Sequence, residues 1–405
     1  MLFKASKLKK PKKFKMTAAA LDWRTGNIPE NTTVFAIGDI HGHNSMLVTM
    51  LESVEEKIRA LPMTTTARVI FMGDNTDRGP NSPRVIDLIL KFRQRVEGAN
   101  NVIVDNLCGN HDEYTHRIIT AERIVPAIIS YDPNEKGELD EKRLWGWLQS
   151  PNLKEMPIDG FWDFLVKGGG YTAVRDYFNR AGREFIENDL WDVVGGKDAP
   201  RKGADLEAVN KWRQEFVDCI PPAHQQFFAD IFNNMFVEIG DYIFTHAGAN
   251  PGRTWEAQRD VDPHNLDDHF TRVMYRNGFL WGKHPNNHWV DNSTKWKKVI
   301  VHGHTPSAVR ANDAALLGEF GTIPKDADRG PTLPDGQKPW RLCVDTCIFD
   351  LKDGALTCFV HDGSKVGFMS VQKRDPNRVV EFSVVGRAQE RVHKAMNPQL
   401  HPQPV

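Results

Sequence analysis

Thr32-Thr33-Val34-Phe35-Ala36-Ile37-Gly38-Asp39-Ile40-His41-Gly42 is the stretch on which the fold reading turns. Its first six residues are β-branched or apolar and stop at a glycine, which reads as a buried strand. Leu47, Met50, Leu51, Val54 and Ile58 then keep helical spacing, so strand gives way to helix across the Gly38–Asn44 loop. The pattern returns with a strand at Arg68–Met72, a loop at Gly73–Asn81 and a helix carrying Val85, Ile89, Phe92 and Val96 on one face. Ser82 reads as that helix's cap and Pro83 suits its first position. A third strand, Val102–Leu107, leads into Gly109–Asp112 and another helix. Strands alternating with helices predict an α/β fold with a largely parallel sheet.

Further along, about 120–235 changes character. It is helical in pattern, broken at Asp132–Gly137 and Gly195–Gly203, and holds Trp145, Trp147, Trp162, Trp191 and Trp212. This reads as an insertion packed over the sheet with its aromatics in a core. Strands resume at Phe236–Ile239 and Tyr242–Thr245 around a Gly240-Asp241 turn. Another follows at Lys298–Val301, then an exposed Gly321–Pro339 loop, then a hairpin pairing Ile348–Leu351 with Ala355–Val360. The expected division is a tail at 1–30, a catalytic domain at 31–375 and an extension at 376–405.

A net charge of −1 over 405 residues provides no field for nucleic acid or an anionic membrane, so no specific nucleic-acid partner is expected. Seven lysines between Lys4 and Lys15, with no acid before Asp22, read as a disordered solvated tail. A membrane-surface or nucleic-acid contact is the alternative, and the absence of arginine argues against a transit peptide. No apolar run approaches the roughly 18 residues of a membrane span. The five cysteines form no C-x-x-C pair, so buried thiols and a cytoplasmic location are expected.

Five motifs stand in order, most directly after an apolar strand: Gly38-Asp39-Ile40-His41-Gly42, Gly73-Asp74-Asn75-Thr76-Asp77-Arg78-Gly79, Gly109-Asn110-His111-Asp112, His246-Ala247-Gly248 and Gly303-His304-Thr305-Pro306. A single Gly-Asp is a turn and a single His is a core residue, but the ordered set is neither. Asp39 and His41, two apart on a segment read as extended, would point the same way. A carboxylate with an imidazole suits Mn, Fe or Zn. Asp74 supplies a carboxylate able to bridge two ions, and Asn110, His246 and His304 add neutral ligands. Two ions roughly 3.5–4 Å apart clamp a phosphate and activate a water.

The set resembles the phosphoprotein phosphatase family of calcineurin-like metallophosphoesterases, in its bacterial form. The bacterial-type traits are Asp112 closing the third motif, His246-Ala247-Gly248 and Gly303-His304-Thr305-Pro306. Lys167-Gly168-Gly169-Gly170-Tyr171-Thr172 is similar to a glycine-rich segment of the bacterial cap. The likeness covers about 32–125 and 220–350. It implies a β-sandwich flanked by helices in α/β/β/α layers, with a mostly helical insertion. It implies one ion, manganese in vitro, on Asp39, His41 and Asp74, and a second on Asp74, Asn110, His246 and His304. His111 would be the general acid oriented by Asp77, and Arg78 would fork two phosphate oxygens. The family places a second phosphate-binding arginine after a Leu-Trp pair. Here Leu280-Trp281-Gly282 precedes Lys283, which would bring charge without the fork, with Arg276 as the nearby substitute.

The activity implied is hydrolysis of a phosphomonoester by metal-bound hydroxide, on phosphorylated side chains of proteins (Ser/Thr, with Tyr as the alternative) or on small phosphoesters. The rivals are a diadenosine tetraphosphatase-like anhydride or diester hydrolase, and an inactive scaffold, against which His111, Asp77 and Arg78 argue. Of the remaining candidates, His302 reads as a hydrogen-bonded core residue near the site and His43 as a solvated loop residue. Asp345 reads as structural, and Cys108 as a buried thiol.

Overall fold

The computed structural model describes residues 27–97, 101–126, 154–166, 168–194, 204–249, 253–261, 278–281, 296, 298–304, 341–346, 348, 354–383 and 389–391. Strands β1 (Thr32–Ile37), β2 (Thr66–Phe71) and β3 (Val102–Asn106) alternate with helices α1 (Asn44–Arg59), α2 (Ser82–Glu97) and α3 (Asn110–Thr120). The three strands are parallel, with Ile37 beside Phe71 and Phe71 beside Asn106. Equal register brings their carboxyl ends level, and the first three motifs leave the sheet from that one edge.

The opposite side of β1 is antiparallel. In the larger, eight-stranded sheet, β10 (Asp345–Thr346), β11 (Ala355–His361), β12 (Val366–Gln372), β13 (Asp375–Ser383) and β14 (Gln389–Arg391) complete the order β14-β13-β12-β11-β1-β2-β3, with β10 on β11. A second sheet runs β6-β7-β8-β9, from β6 (Phe236–Ile239), β7 (Tyr242–Thr245), β8 (Val299–His302) and β9 (Arg341–Cys343). Its β7 and β8 are parallel, so His246 and His304 leave from neighbouring carboxyl ends.

The sheets pack face to face. Val34, Ala36, Ile70 and Met72 meet Tyr242, Phe244, Val299 and Val301 in one core, with Phe359 5.7 Å from Phe244. The alternate residues Phe35, Ile37, Val69 and Phe71 pack under α1 and α2. Burial of both faces is why β1 and β2 are nearly continuous apolar runs. Helix α9 (Trp255–Arg259) with Phe279 and Leu280 covers the outer face of the second sheet, completing the α/β/β/α layers.

The insertion is a helical cap with its own core. A two-stranded sheet, β4 (Arg123–Val125) with β5 (Glu155–Pro157), joins α4 (Ile158–Leu165), α5 (Tyr171–Arg180), α6 (Glu187–Val193), α7 (Leu206–Cys219) and α8 (Pro222–Ile231). Trp162 and Trp191 are buried there, and Trp212 stacks on Phe178 at 5.6 Å. Phe227, Phe228 and Ile231 of α8 instead enter the core under α1 and α2, so the cap is seated on the main domain by its last helix.

Three readings change. The cap of α2 is Asn81, whose Oδ1 accepts from Arg84 N at 3.1 Å, while the Ser82 hydroxyl turns to the Asp77 backbone. The expected break at 375 falls at the start of β13, whose Val379 is buried against the α1 side of the sheet. Of the expected hairpin, 349–353 lie outside the described residues, and β11 pairs β10 and β12. The basic tail before residue 27 and Trp145 and Trp147 also lie outside. Cys108, Cys219, Cys343 and Cys358 are buried free thiols. Among the described residues no helix is long and apolar enough to cross a membrane.

Candidate active site

The loops at the strand ends are held in unusual backbone. Five motif residues sit in the left-handed region: His41 (φ 44°), Asp74 (52°), Asp77 (70°), Arg78 (63°) and His304 (63°). For a residue with a Cβ this costs on the order of 1–2 kcal/mol, so surrounding contacts must impose it. Ile40 and His41 N–H both donate to the Asp74 carbonyl, at 3.1 and 2.9 Å. His304 N–H donates to Asp39 Oδ2 at 3.0 Å, and His111 N–H to Asp74 Oδ1 at 3.0 Å. Gly303 lies so close that a Cβ there would fall 2.0 Å from Asp39 Oδ1, which admits only glycine.

Two expectations are thereby corrected. His41 is on a left-handed turn and not on an extended segment, so side-chain alternation is not what aims it. His43 is buried, and its Nδ1 donates to the His41 carbonyl at 2.8 Å. A polar residue after a Gly-rich loop reads as solvated because the chain that buries it, at Gly79, lies far along the sequence, although the carbonyl it satisfies is only two residues back.

Around Asp74 two groups form. His41, Asp74 and His111 offer ligand atoms within 4.8 Å of one another, and so do Asp74, His246 and His304. Asn110 Oδ1 joins the second group, 3.0 Å from His246 Nε2 and 2.8 Å from His304 Nδ1. Asp74 is common to both. His111 Nδ1 donates to Asp77 Oδ2 at 2.8 Å while its Nε2 lies 3.8 Å from Asp74 Oδ2. Arg78 Nη1 lies 3.3 Å from His41 Nε2. Nine of the ten expected site residues are thus gathered or linked in one place. Lys283 lies outside the described residues, as does Arg276.

The family model for calcineurin-like phosphoesterases matches residues 32–321. The chain belongs to that family. It is accordingly a metal-dependent phosphoester hydrolase. A cold-active protein-tyrosine phosphatase of a psychrophile Shewanella species is 14% identical, over 90% of this chain and 83% of that one, with a TM-score of 0.36. A yeast serine/threonine phosphatase (Saccharomyces cerevisiae) is 13% identical over 91% and 82%, TM-score 0.35. A metallophosphoesterase from Sphaerobacter thermophilus is 11% identical over 87% of each chain, TM-score 0.31. No curated protein matches.

The donors of this phosphoesterase fit divalent cations. His246 Nδ1 donates to the Met72 carbonyl and His41 Nδ1 to the Thr76 carbonyl, both at 3.0 Å. Each bond fixes the tautomer and turns the Nε2 lone pair toward the carboxylates. His246 Nε2 then faces Asp74 Oδ1 at 3.3 Å and Asn110 Oδ1, three acceptors that need a positive charge between them. Burial pushes His246 down, but Asp74 and Asp39 overcome it and hold it up at about 9. Burial and the neighbouring Asp345 and Asp74 drive the Asp39 carboxyl well up. Its Oδ1 is buried and meets no hydrogen-bond donor among the described residues. A cation against these atoms removes both penalties.

Sequence reasoning left some residues without a role. Asp112 accepts from Gly109 N, Asn75 N and Asn75 Nδ2 at 3.0–3.2 Å, tying the Asp74 loop to the Asn110 loop. Asp345, read as structural, is buried close enough to Asp39 to raise it. His302 is buried, with Nδ1 donating to the Gly303 carbonyl at 3.0 Å, as a core histidine would.

Proposed function

We propose that the chain hydrolyses phosphomonoesters of alcohols, with phosphorylated Ser/Thr side chains of proteins as its substrates. The observation that carries this reading is the buried His111–Asp77 pair at 2.8 Å beside Asp74. An alkoxide is a poor leaving group and needs a proton in the transition state, which an oriented imidazole supplies. Asp77 fixes the Nδ1 proton of His111, so Nε2 is the atom that holds and releases the mobile one. Nucleotide leaving groups from an anhydride need this far less.

Asp39, His41 and Asp74 would hold one divalent ion, and Asp74, Asn110, His246 and His304 a second. Bound there, the ions neutralise phosphate charge and activate a water. The Arg78 guanidinium would fork two phosphate oxygens, and Lys283 would contribute a point charge. Manganese is the ion for assay.

A phosphoserine peptide panel run beside diadenosine tetraphosphate on one manganese-loaded preparation tests the reading. Higher kcat/KM on the peptides supports it. Preference for diadenosine tetraphosphate replaces it with the nucleotide reading. Among the described residues, the cap's Trp162, Trp191 and Trp212 are occupied with packing on their own core, which favours the peptide over a stacked base.

A further inference from the structure

The left-handed pair Asp77–Arg78 carries two functional side chains, and the cap supplies much of what holds it. Arg78 N–H donates to the Gly169 carbonyl at 3.3 Å, and Arg78 Nε to the Gly168 carbonyl at 3.3 Å. With Nε engaged by the cap, Nη1 reaches the site, 3.3 Å from His41 Nε2. Gly169 is itself left-handed at φ +70°, and a Cβ there would lie 3.0 Å from Arg78 Cγ. A side chain at 169 therefore strains its own backbone and presses on the arginine stem.

The second path runs through α2. Asp77 N–H donates to the Ser82 hydroxyl at 3.0 Å, and Ser82 N–H donates to Asp176 Oδ2 at 3.2 Å. Asp176 lies on α5 and is buried, with its other oxygen accepting from Arg175 Nη2 at 3.0 Å. Asp77 Oδ2 is the atom that orients His111. Whatever fixes the Asp77 backbone therefore fixes the direction of the His111 proton.

We propose that the cap segment 168–176 is a positioning element for the phosphoester-cleaving site: the Gly168 and Gly169 carbonyls aim Arg78, and Asp176, acting through Ser82, sets Asp77 and hence His111. This rests on the reading of Arg78 as the phosphate fork and His111–Asp77 as the proton-donating pair. The two arms act on different parts of the reaction, so their effects separate. Loss of arginine aim weakens phosphate binding whatever the leaving group. Loss of Asp77 alignment weakens proton donation and shows only when the leaving group needs a proton.

The test uses the full chain loaded with manganese, as Gly169→Ala, Asp176→Leu and Asp176→Asn. The substrates are p-nitrophenyl phosphate and a phosphoserine peptide, with inorganic phosphate as inhibitor. Metal content, Tm and the exchange rate of the Arg78 Nε–H by NMR are followed alongside. Gly169→Ala should raise KM and the phosphate inhibition constant together, by about tenfold on both substrates. Asp176→Leu should lower kcat about tenfold more on the phosphoserine peptide than on the aryl ester, with KM little moved. Asp176→Asn keeps an acceptor oxygen for Ser82 N–H and should restore most of that loss. Wild-type kinetics in both Gly169→Ala and Asp176→Leu, or losses that simply follow Tm or metal content, overturn the proposal. Should the wild-type chain cleave neither substrate, the functional reading fails on its own. The Arg78 Nε–H then still decides the positioning: protection in wild type and loss in Gly169→Ala support it, and equal exchange overturns it.

Discussion

Asp74 is the residue on which both donor groups converge, within reach of His41, His111, His246 and His304. Asp74→Asn removes one charge from both ion sites at once and leaves buried imidazoles facing a neutral amide. The expected outcome is loss of both bound ions by metal analysis, with nearly all turnover lost even at saturating manganese. Retention of two ions would sink the bridging role. His111 is different in kind, since its Nδ1 is tied to Asp77 Oδ2 at 2.8 Å and its part in the reading is to move a proton. His111→Asn should keep its metal and lose about 10²–10⁴-fold on a phosphoserine peptide, the usual range for general acid catalysis. The loss should shrink on p-nitrophenyl phosphate, and an equal loss on both counts against the role.

At the scale of elements, a polar cluster latches the cap to the domain. Tyr177 on α5 donates its hydroxyl to His224 Nδ1 on α8, and His224 Nε2 donates to Asp87 Oδ1 on α2, each at 3.0 Å. Arg180 of α5 closes the cluster on both Asp87 oxygens. One neutral tautomer of His224 satisfies both of its bonds. Tyr177→Phe leaves the buried Nδ1 without its donor and should cost about 1–3 kcal/mol in denaturant unfolding. Burial holds His224 below the ordinary 6.5, against the pull of Asp87. The unfolded chain thus takes up a proton near 6.5 that the folded chain resists. Stability from this residue is present above that pH and is lost as pH falls through it. Between about pH 7.5 and about pH 5.5, Tm should fall less steeply in His224→Gln than in wild type. Parallel slopes would remove His224 from the account.

Across the whole molecule, the large sheet does not end where the motif-bearing chain does. Val379 of β13 is buried, Thr49 of α1 donates to the Pro376 carbonyl at 2.6 Å, and Lys57 meets Glu381 at 3.1 Å. A chain ended at residue 375 would open the β12 edge and uncover Met369 and Val371. It should aggregate or unfold at a clearly lower Tm, and an unchanged melting profile would show 376–391 to be dispensable. This boundary was hidden in the sequence because Asp375–Ser383 mixes charge with apolar residues, as a strand with a half-solvated face does. The parallel core was legible for the opposite reason: β1, β2 and β8 are buried on both faces and read as apolar runs ending in Gly, Asp or His. The gathering of Asp39, His41, Asp74, Asn110, His111, His246 and His304 at one edge was legible too, since short motifs at strand ends need only local chain. What lay beyond reach were pairings with no local trace: Arg78 with Gly168 across 90 residues and Ser82 with Asp176 across 94. Periodicity reports which face of an element is buried, so the sequence by itself determined the layered core and the chemistry gathered at its edge. Only the tertiary structure decided which lone pair faces which proton, because a hydrogen bond selects its partner by position in space and not along the chain.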